Sequence, residues 1–322
     1  MVKPVVCIGF ALLLALSGCR RPGTAPPAPA GTEPPVSSTP APSEGPGTDA
    51  SPGTMEVYLF GIGKADAIVI TTENHTVLID AGENRHGPEI ADWLLGRGIA
   101  EIDVFIITHF HKDHVGGADG VIRGLTVHEL IVPHYGKDSK QYRQFIAAAD
   151  GAGLERRALT DRFAFTLDGA DFTVFPSPRE YYDYGGGGGE AADDEDEGDG
   201  GSGNAPKEND FSLAVSVSHG ANHFLFTGDA LSARLEELLS LPEITEPDYV
   251  FLKVPHHGRH NKRSAAFIGA IRPGYAVITG AQDQPADRRV VAALEQAGAQ
   301  VFFTAGGGVF CESDGETLTL LQ

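Results

Sequence analysis

Apolar and polar positions alternate along this chain with two different periods, and the changes of period mark its elements. Residues 55–60 (MEVYLF) alternate with period two and read as a strand; 68–71 and 76–80 follow as two more, so the folded part opens as a β-meander. At 86–96 the period lengthens, with Ile90, Trp93 and Leu94 at helical spacing. The run Val104-Phe105-Ile106-Ile107 has neither period. It is short, largely β-branched and uninterrupted, which predicts a strand over 102–107 buried on both faces. Helix 116–123, strand 129–132 and helix 139–149 come next, and 158–175 returns to strand and hairpin patterning. Strands are predicted again at 211–218 and 223–227, across the turn Gly220-Ala221-Asn222. Helix 232–239, strand 249–254, helix 264–271, strand 275–279, helix 286–297 and strands at 300–303, 309–311 and 316–321 complete the chain. Each half runs strands first and then strand–helix alternation, without a short-period repeat. The pattern predicts mixed sheets with amphipathic helices packed on their outer faces.

Three stretches carry no such period. Residues 1–19 hold Lys3, an apolar segment from Val5 to Leu16 and then Ser17-Gly18-Cys19. This is the layout of an export signal, too short for a comfortable membrane span. Leu16-Ser17-Gly18-Cys19 resembles the bacterial lipobox, which implies lipid on Cys19 and an extracytoplasmic location, on the outer face of the cell membrane or on an outer membrane. Residues 20–53 are dominated by Pro, Ala, Gly, Ser and Thr and read as a tether holding a domain of residues 54–322 off the lipid. Within that domain, about 185–208 is glycine-rich and acidic. It cannot repay its ordering entropy and reads as a surface insertion.

Charge and cysteine use narrow the picture. The formal charge is −20, but nine acids face one lysine between 185 and 210, which leaves about −12 for the rest of the chain. That is a poor footprint for a dedicated nucleic-acid binder. It does not exclude a phosphodiester substrate if bound dications add positive charge at the site. With Cys7 in the leader and Cys19 lipidated, only Cys311 remains, so no disulfide staples the domain. In Val309-Phe310-Cys311 that thiol reads as a small buried residue.

The chemistry concentrates at 108–117, THFHKDHVGG, directly after the buried strand. His109, His111, Asp113 and His114 fall within six residues. Imidazole nitrogens and carboxylate oxygens so close together suit divalent metal, Zn²⁺ first with Mn²⁺ as the alternative. The other candidates, Asp229 and the pair His256-His257, also lie just past the ends of predicted strands. Residues so far apart in sequence converge only if those strand ends share an edge. Gly61-Ile62-Gly63-Lys64-Ala65-Asp66 lacks the spacing of a phosphate loop and precedes a strand, so no nucleotide cofactor is expected. Asp66 reads as a turn residue or as a support for the metal loop.

These motifs together resemble the metallo-β-lactamase superfamily, whose HxHxDH signature is met by His109, His111, Asp113 and His114. They are most similar to the metallo-β-lactamase-like domain of the ComEC DNA-uptake family, through residues 61–67 (GIGKADA), 209–213 (NDFSL), 226–229 (FTGD) and 252–258 (LKVPHHG). The resemblance implies an αββα sandwich with two divalent metal ions at the edge of its two mixed sheets. By position, His109 and His111 hold the first ion; Asp113, His114 and one of His256 and His257 hold the second; Asp229 bridges them. The third histidine usual for the first ion is absent, and Asn209 stands near its place. His219 and His223 flank a turn and are expected at the surface, and His134 is a weak substitute.

Two dications would lower the pKa of a shared water and stabilise an oxyanion, with Asp113 as proton acceptor and Lys253 or Arg259 against substrate charge. Lys253 reads equally as a strand residue with its stem along the sheet. A phosphodiesterase acting on DNA or an envelope polymer follows. The alternatives are a hydrolase of another ester or amide, β-lactams included, and a non-enzymatic surface-binding lipoprotein.

Overall fold

Two β-sheets face each other across one apolar core, and helices cover both outer faces. A computed structural model of the chain describes residues 53–179 and 207–322. The leader with Cys19, the tether up to residue 52 and all of the acidic insertion except Lys207 and Glu208 lie outside the described residues. The first sheet contains β1 (Met55–Leu59), β2 (Ile68–Thr71), β3 (Thr76–Ile79), β4 (Glu101–Ile106), β5 (Thr126–Pro133), β6 (Arg156–Leu159), β14 (Val309–Ser313) and β15 (Leu318–Leu321), in the order β15-β14-β1-β2-β3-β4-β5-β6. The second contains β7 (Phe163–Leu167), β8 (Ala170–Phe175), β9 (Ala214–His219), β10 (Asn222–Phe226), β11 (Tyr249–Lys253), β12 (Tyr275–Ile278) and β13 (Gln300–Phe303), in the order β13-β12-β11-β10-β9-β8-β7. Each sheet changes direction once. The first is antiparallel from β15 to β3 and parallel from β3 to β6. The second is parallel from β13 to β10 and antiparallel from β10 to β7.

The strand pattern explains the layers. Along β1, Met55, Val57 and Leu59 point into the space between the sheets, where Ile68, Ile70, Val174, Val215, Phe226 and Phe251 meet them. The alternate positions Val69, Leu78, Phe105 and Leu130 face outward under α1 (His86–Leu95), α3 (Ala118–Gly124) and α4 (Lys140–Gly151). This is why 102–107 shows no alternation: both of its faces are covered. On the far side α5 (Ser232–Leu238), α7 (Ser264–Ile271) and α8 (Arg288–Gln296) pack over Leu225, Leu252 and Ile278. Two short helices, α2 (Lys112–Val115) and α6 (Pro242–Thr245), complete the α-helices among the described residues. The αββα sandwich expected from the sequence is the observed fold. None of these helices is long and apolar enough to cross a membrane.

Three expectations are corrected. Residues 211–213 continue the alternation of β9 but are not strand. A 3-10 turn covers Glu208–Phe211, Leu213 N donates to Thr108 O at 2.9 Å, and Ser212 O accepts from the buried Arg234 guanidinium at 3.1 Å. The backbone there is committed to the loop after β4 instead of a neighbouring strand. His219 is buried, not exposed, and its Nδ1 lies 2.8 Å from Ser313 Oγ, joining β9 to β14 across the sandwich. His223 is half-buried beside Ser218. Cys311 is buried as expected, and burial pushes its thiol up to about 12, where it is inert.

The core between the sheets should govern stability. Truncation of the fully buried Phe226 to alanine is expected to cost about 3–5 kcal/mol by denaturant unfolding, through lost transfer energy plus the cavity left behind.

Candidate metal centre

The centre starts at the end of β3, where Asp80 takes a left-handed backbone conformation (φ 58°) and turns its carboxylate inward. That carboxylate accepts from Thr108 N at 2.8 Å and from Thr108 Oγ1 at 2.7 Å, and it lies 2.8 Å from His114 Nδ1. One acid therefore ties the exit of β4 to the far end of the histidine motif. Asp113 and His114 are not on an open loop: His111 is extended at the helix start, and α2 carries both residues on one turn. The two glycines that close the motif are required by close approach. A Cβ on Gly117 would sit 2.1 Å from Ala81 O, and one on Gly116 would sit 2.2 Å from Lys112 O.

From the second sheet come Asp229, just past β10, and the pair His256-His257, just past β11. Asp229 N donates to Ser212 Oγ at 3.1 Å. His256, His257 and Gly258 are all left-handed, at φ 49°, 52° and 74°. Two non-glycine residues in that region cost about 1–3 kcal/mol each, so the surrounding structure must impose the conformation. It swings His257 inward and His256 towards Asn209, whose Nδ2 lies 3.4 Å from His256 Nε2.

One ligand atom from each of Asp113, His114, Asp229 and His257 lies within 4.8 Å of the others. His257 Nε2 is 3.1 Å from Asp229 Oδ2 and 3.4 Å from Asp113 Oδ2, and His114 Nε2 is 3.2 Å from Asp229 Oδ2. Yet both imidazole nitrogens are buried without a hydrogen-bond partner. They converge on a point between the carboxylates, as ligands of a shared cation do. Beside them His109 Nε2 faces His111 Nδ1 at 3.2 Å. His109 Nδ1 lies 3.1 Å from Thr108 Oγ1, whose own proton goes to Asp80, so the ring gives its proton to the threonine and turns a lone pair towards His111. His257 Nδ1 is held likewise, 3.0 Å from Thr279 Oγ1. Orphaned nitrogens, carboxylates and ring supports together fit two divalent ions.

The electrostatics agree. Asp66, Asp80, Asp113 and Asp229 are all buried, with the ammonium of Lys253 buried among them. Burial opposes ionisation of Asp113 and Asp229, but the neighbouring His114 and His257 outweigh it and hold both carboxyls well below the usual range. Conversely, against burial, Asp229 with Asp80 raises His114, and Asp229 with Asp66 raises His257. Burial and the charges of His257, Lys64 and Arg259, against the pull of Asp229, push His256 down to about 3.

The placement of the remaining candidates sharpens their roles. Lys253, read above either as facing substrate charge or as a strand residue with its stem along the sheet, has its ammonium wholly buried, paired with Asp66, 2.9 Å from Gly228 O and 3.4 Å from Asp229 Oδ1. It supports Asp229 from below and does not reach the mouth. Asp66 lies 3.5 Å from His257 Nδ1 and so belongs under the centre. Arg259 lines a cleft of about 370 Å³ with Lys64, His257, His260 and Gln284. His134 is on the surface. A larger cavity of about 640 Å³ opens on the outer face of the first sheet beside Tyr58, Trp93 and Arg97 and contains no group of the centre. Sequence reasoning passed over Asp80, Thr108, Thr279 and Glu208. For Asp80 a signal existed, an acid at a strand's end before Ala81-Gly82.

The family model described as Metallo-beta-lactamase superfamily matches residues 61–280. Recombination protein 2 of Haemophilus influenzae is 24% identical over 237 residues, covering 72% of this chain and 25% of that protein. ComE operon protein 3 of Bacillus subtilis is 22% identical over 246 residues, covering 71% and 28%. The chain thus spans about a quarter of the length of these relatives. Among solved structures, the metallo-beta-lactamase fold protein YhfI from Bacillus subtilis is 12% identical, covers 81% of this chain and 100% of its own, and has a TM-score of 0.47.

The raised imidazoles set a pH test. In metal-free protein His114 and His257 hold protons above the free value of 6.5. Their contribution is complete below that value and lost as pH climbs through the raised values. Metal displaces those protons. The Tm of chelator-treated protein should therefore fall as pH rises above about 6.5, while stabilisation by added Zn²⁺ should grow over the same range.

Proposed function

The chain belongs to the metallo-beta-lactamase superfamily, and from that membership and the geometry of its centre we propose that it is a metal-dependent phosphodiesterase, exported and held at a membrane by lipid on Cys19. The observation that carries the reading is a negative nest beside a positive rim. Asp113, Asp229, His114 and His257 point to one buried locus, and His257 also lines a cleft with Lys64, Arg259 and His260; the one acid of that cleft, Asp287, is paired with Arg289. An anion bound in that cleft would lie against the metal locus, which suits a phosphodiester better than a neutral ester or amide.

His109, His111, Asp113, His114, Asp229 and His257 would hold the ions. When bound, two divalent ions supply Lewis acidity and about +4 of charge to phosphate oxygens. The chain's own residues do the rest. Asp113 stays ionised near neutrality and accepts a hydrogen bond from an attacking water, which orients the water's lone pair. Lys253 keeps Asp229 ionised and in place. His256, neutral at working pH, stands beside Asn209 as an uncharged wall of the site. Lys64 and Arg259 hold a non-reacting phosphate oxygen in the cleft.

Similarity to Recombination protein 2 supports a nucleic-acid phosphodiester, and the net charge of −20 supports a short or non-nucleic polymer over a long duplex footprint. Export and lipid anchoring rest on the leader's apolar segment and Leu16-Ser17-Gly18-Cys19.

The test is hydrolysis of bis(p-nitrophenyl) phosphate, single-stranded DNA and a chromogenic β-lactam by metal-loaded protein. Phosphodiester cleavage is expected, reduced by at least about 100-fold in Asp113→Ala and Asp229→Ala. Cleavage of the β-lactam alone, or phosphodiester cleavage unchanged in both variants, would overturn the reading.

A further inference from the structure

Glu208 closes the acidic run that composition assigns to a surface insertion, yet it is tucked into the centre. It opens the 3-10 turn Glu208–Phe211, and only 15% of its side chain is exposed. Its Oε2 lies 3.3 Å from His111 Nε2 and 2.8 Å from Lys137 Nζ, and its Oε1 accepts from Tyr135 Oη at 3.0 Å. Tyr135 Oη in turn accepts from Phe110 N at 2.8 Å. Phe110 stands between His109 and His111, and its ring packs 4.7 Å from that of Tyr135. The network thus grips both the backbone between His109 and His111 and the outer nitrogen of the His111 ring.

The consequence lies in the ring's proton. His111 Nδ1 faces His109 Nε2, while Nε2 faces away from that pair towards Glu208. A carboxylate at that position takes the Nε2 proton as a hydrogen bond and leaves Nδ1 as a bare lone pair. Without it, the ring is free to carry its proton on Nδ1, pointing at His109, where a cation would have to displace it. With no third histidine in this half of the centre, the two rings that remain must be set correctly before an ion arrives.

We propose that Glu208, supported by Tyr135 and Lys137, is the positioning residue that fixes the tautomer and orientation of His111 for the first metal ion. The assignment rests on the dinuclear reading above. Glu208 does not touch that ion's locus; it acts through His111, as Asp80 acts through His114 and Thr279 through His257.

The experiment is Zn²⁺ titration of the metal-free full chain against a competing chelator, for wild type, Glu208→Ala and the isosteric Glu208→Gln, with Co²⁺ absorption to follow the two sites. Wild type should bind two ions in separable steps. Glu208→Ala should weaken one step about 10–100-fold and leave the other unchanged, and Glu208→Gln, which keeps an acceptor but not the charge, should fall between. Circular dichroism checks folding, and the glutamine variant decides the matter if the alanine variant does not fold. A role in folding alone would weaken both steps together, and that result, or two unchanged steps in Glu208→Gln and Glu208→Ala, overturns the assignment. Fewer than two ions in wild type overturns the dinuclear reading and this assignment with it.

Discussion

The centre hangs on one buried carboxylate. Asp80 accepts from Thr108 N and Thr108 Oγ1 and meets His114 Nδ1, all within 2.8 Å. Because the Thr108 hydroxyl spends its proton on Asp80, its oxygen is left to receive the proton of His109 Nδ1. A single acid therefore orients two imidazoles, one directly and one through a threonine. Burial pushes its carboxyl up, and the charge and hydrogen bond of His114 only part offset this. Such a group is stable only while all of its partners remain, since a buried network is costly when partly satisfied. Its left-handed backbone is part of the same constraint, because the chain must reverse there to bring Gly82 against Gly117.

Topology explains why partners so distant in sequence meet. β4 is a parallel strand of the first sheet, β10 and β11 are parallel strands of the second, and the loops after all three open at one edge of the sandwich. The opposite end is pinned by ordinary polar contacts. Asp168 accepts from Thr72 and Asn74 at 2.7–3.2 Å, and Ser313 is bonded to His219 and Asn222. Among the described residues that end carries no comparable concentration of buried acids, so most of the cost of burying charge falls at the edge where a cation would offset it.

The difference between legible and illegible residues follows from how each is specified. The sandwich and the HxHxDH stretch could be read because periodicity and strand-end position are local properties of the chain. The choice of His257 over His256 could not, since it depends on three successive left-handed residues and on Thr279, 22 positions away. Glu208 was hidden by its company: composition averages over a window, and an acid beside Gly, Asp and Glu looks solvated whether or not its own side chain finds Lys137 and His111. Residues 211–213 were misread for a related reason, because alternation reports which side chains are buried but not where the backbone hydrogen bonds go. Lys253 shows the same limit for charge. A lysine at a strand's end beside a histidine pair suggests substrate contact, but its ammonium is wholly consumed beneath Asp229.

The charge distribution orders events at the site. In metal-free protein the protonated His114 and His257 offset part of the charge of Asp113 and Asp229, the acid left over disfavours a phosphate at the same place, and Lys64, Arg259 and His260 line only the cleft beside it, together with Asp287. At about 4 Å an exposed like-charge pair is unfavourable by roughly 1–4 kcal/mol, and more when desolvated. On the proposed phosphodiesterase reading, an anionic substrate gains most from the cleft once metal has neutralised the nest, so metal loading would precede productive substrate binding.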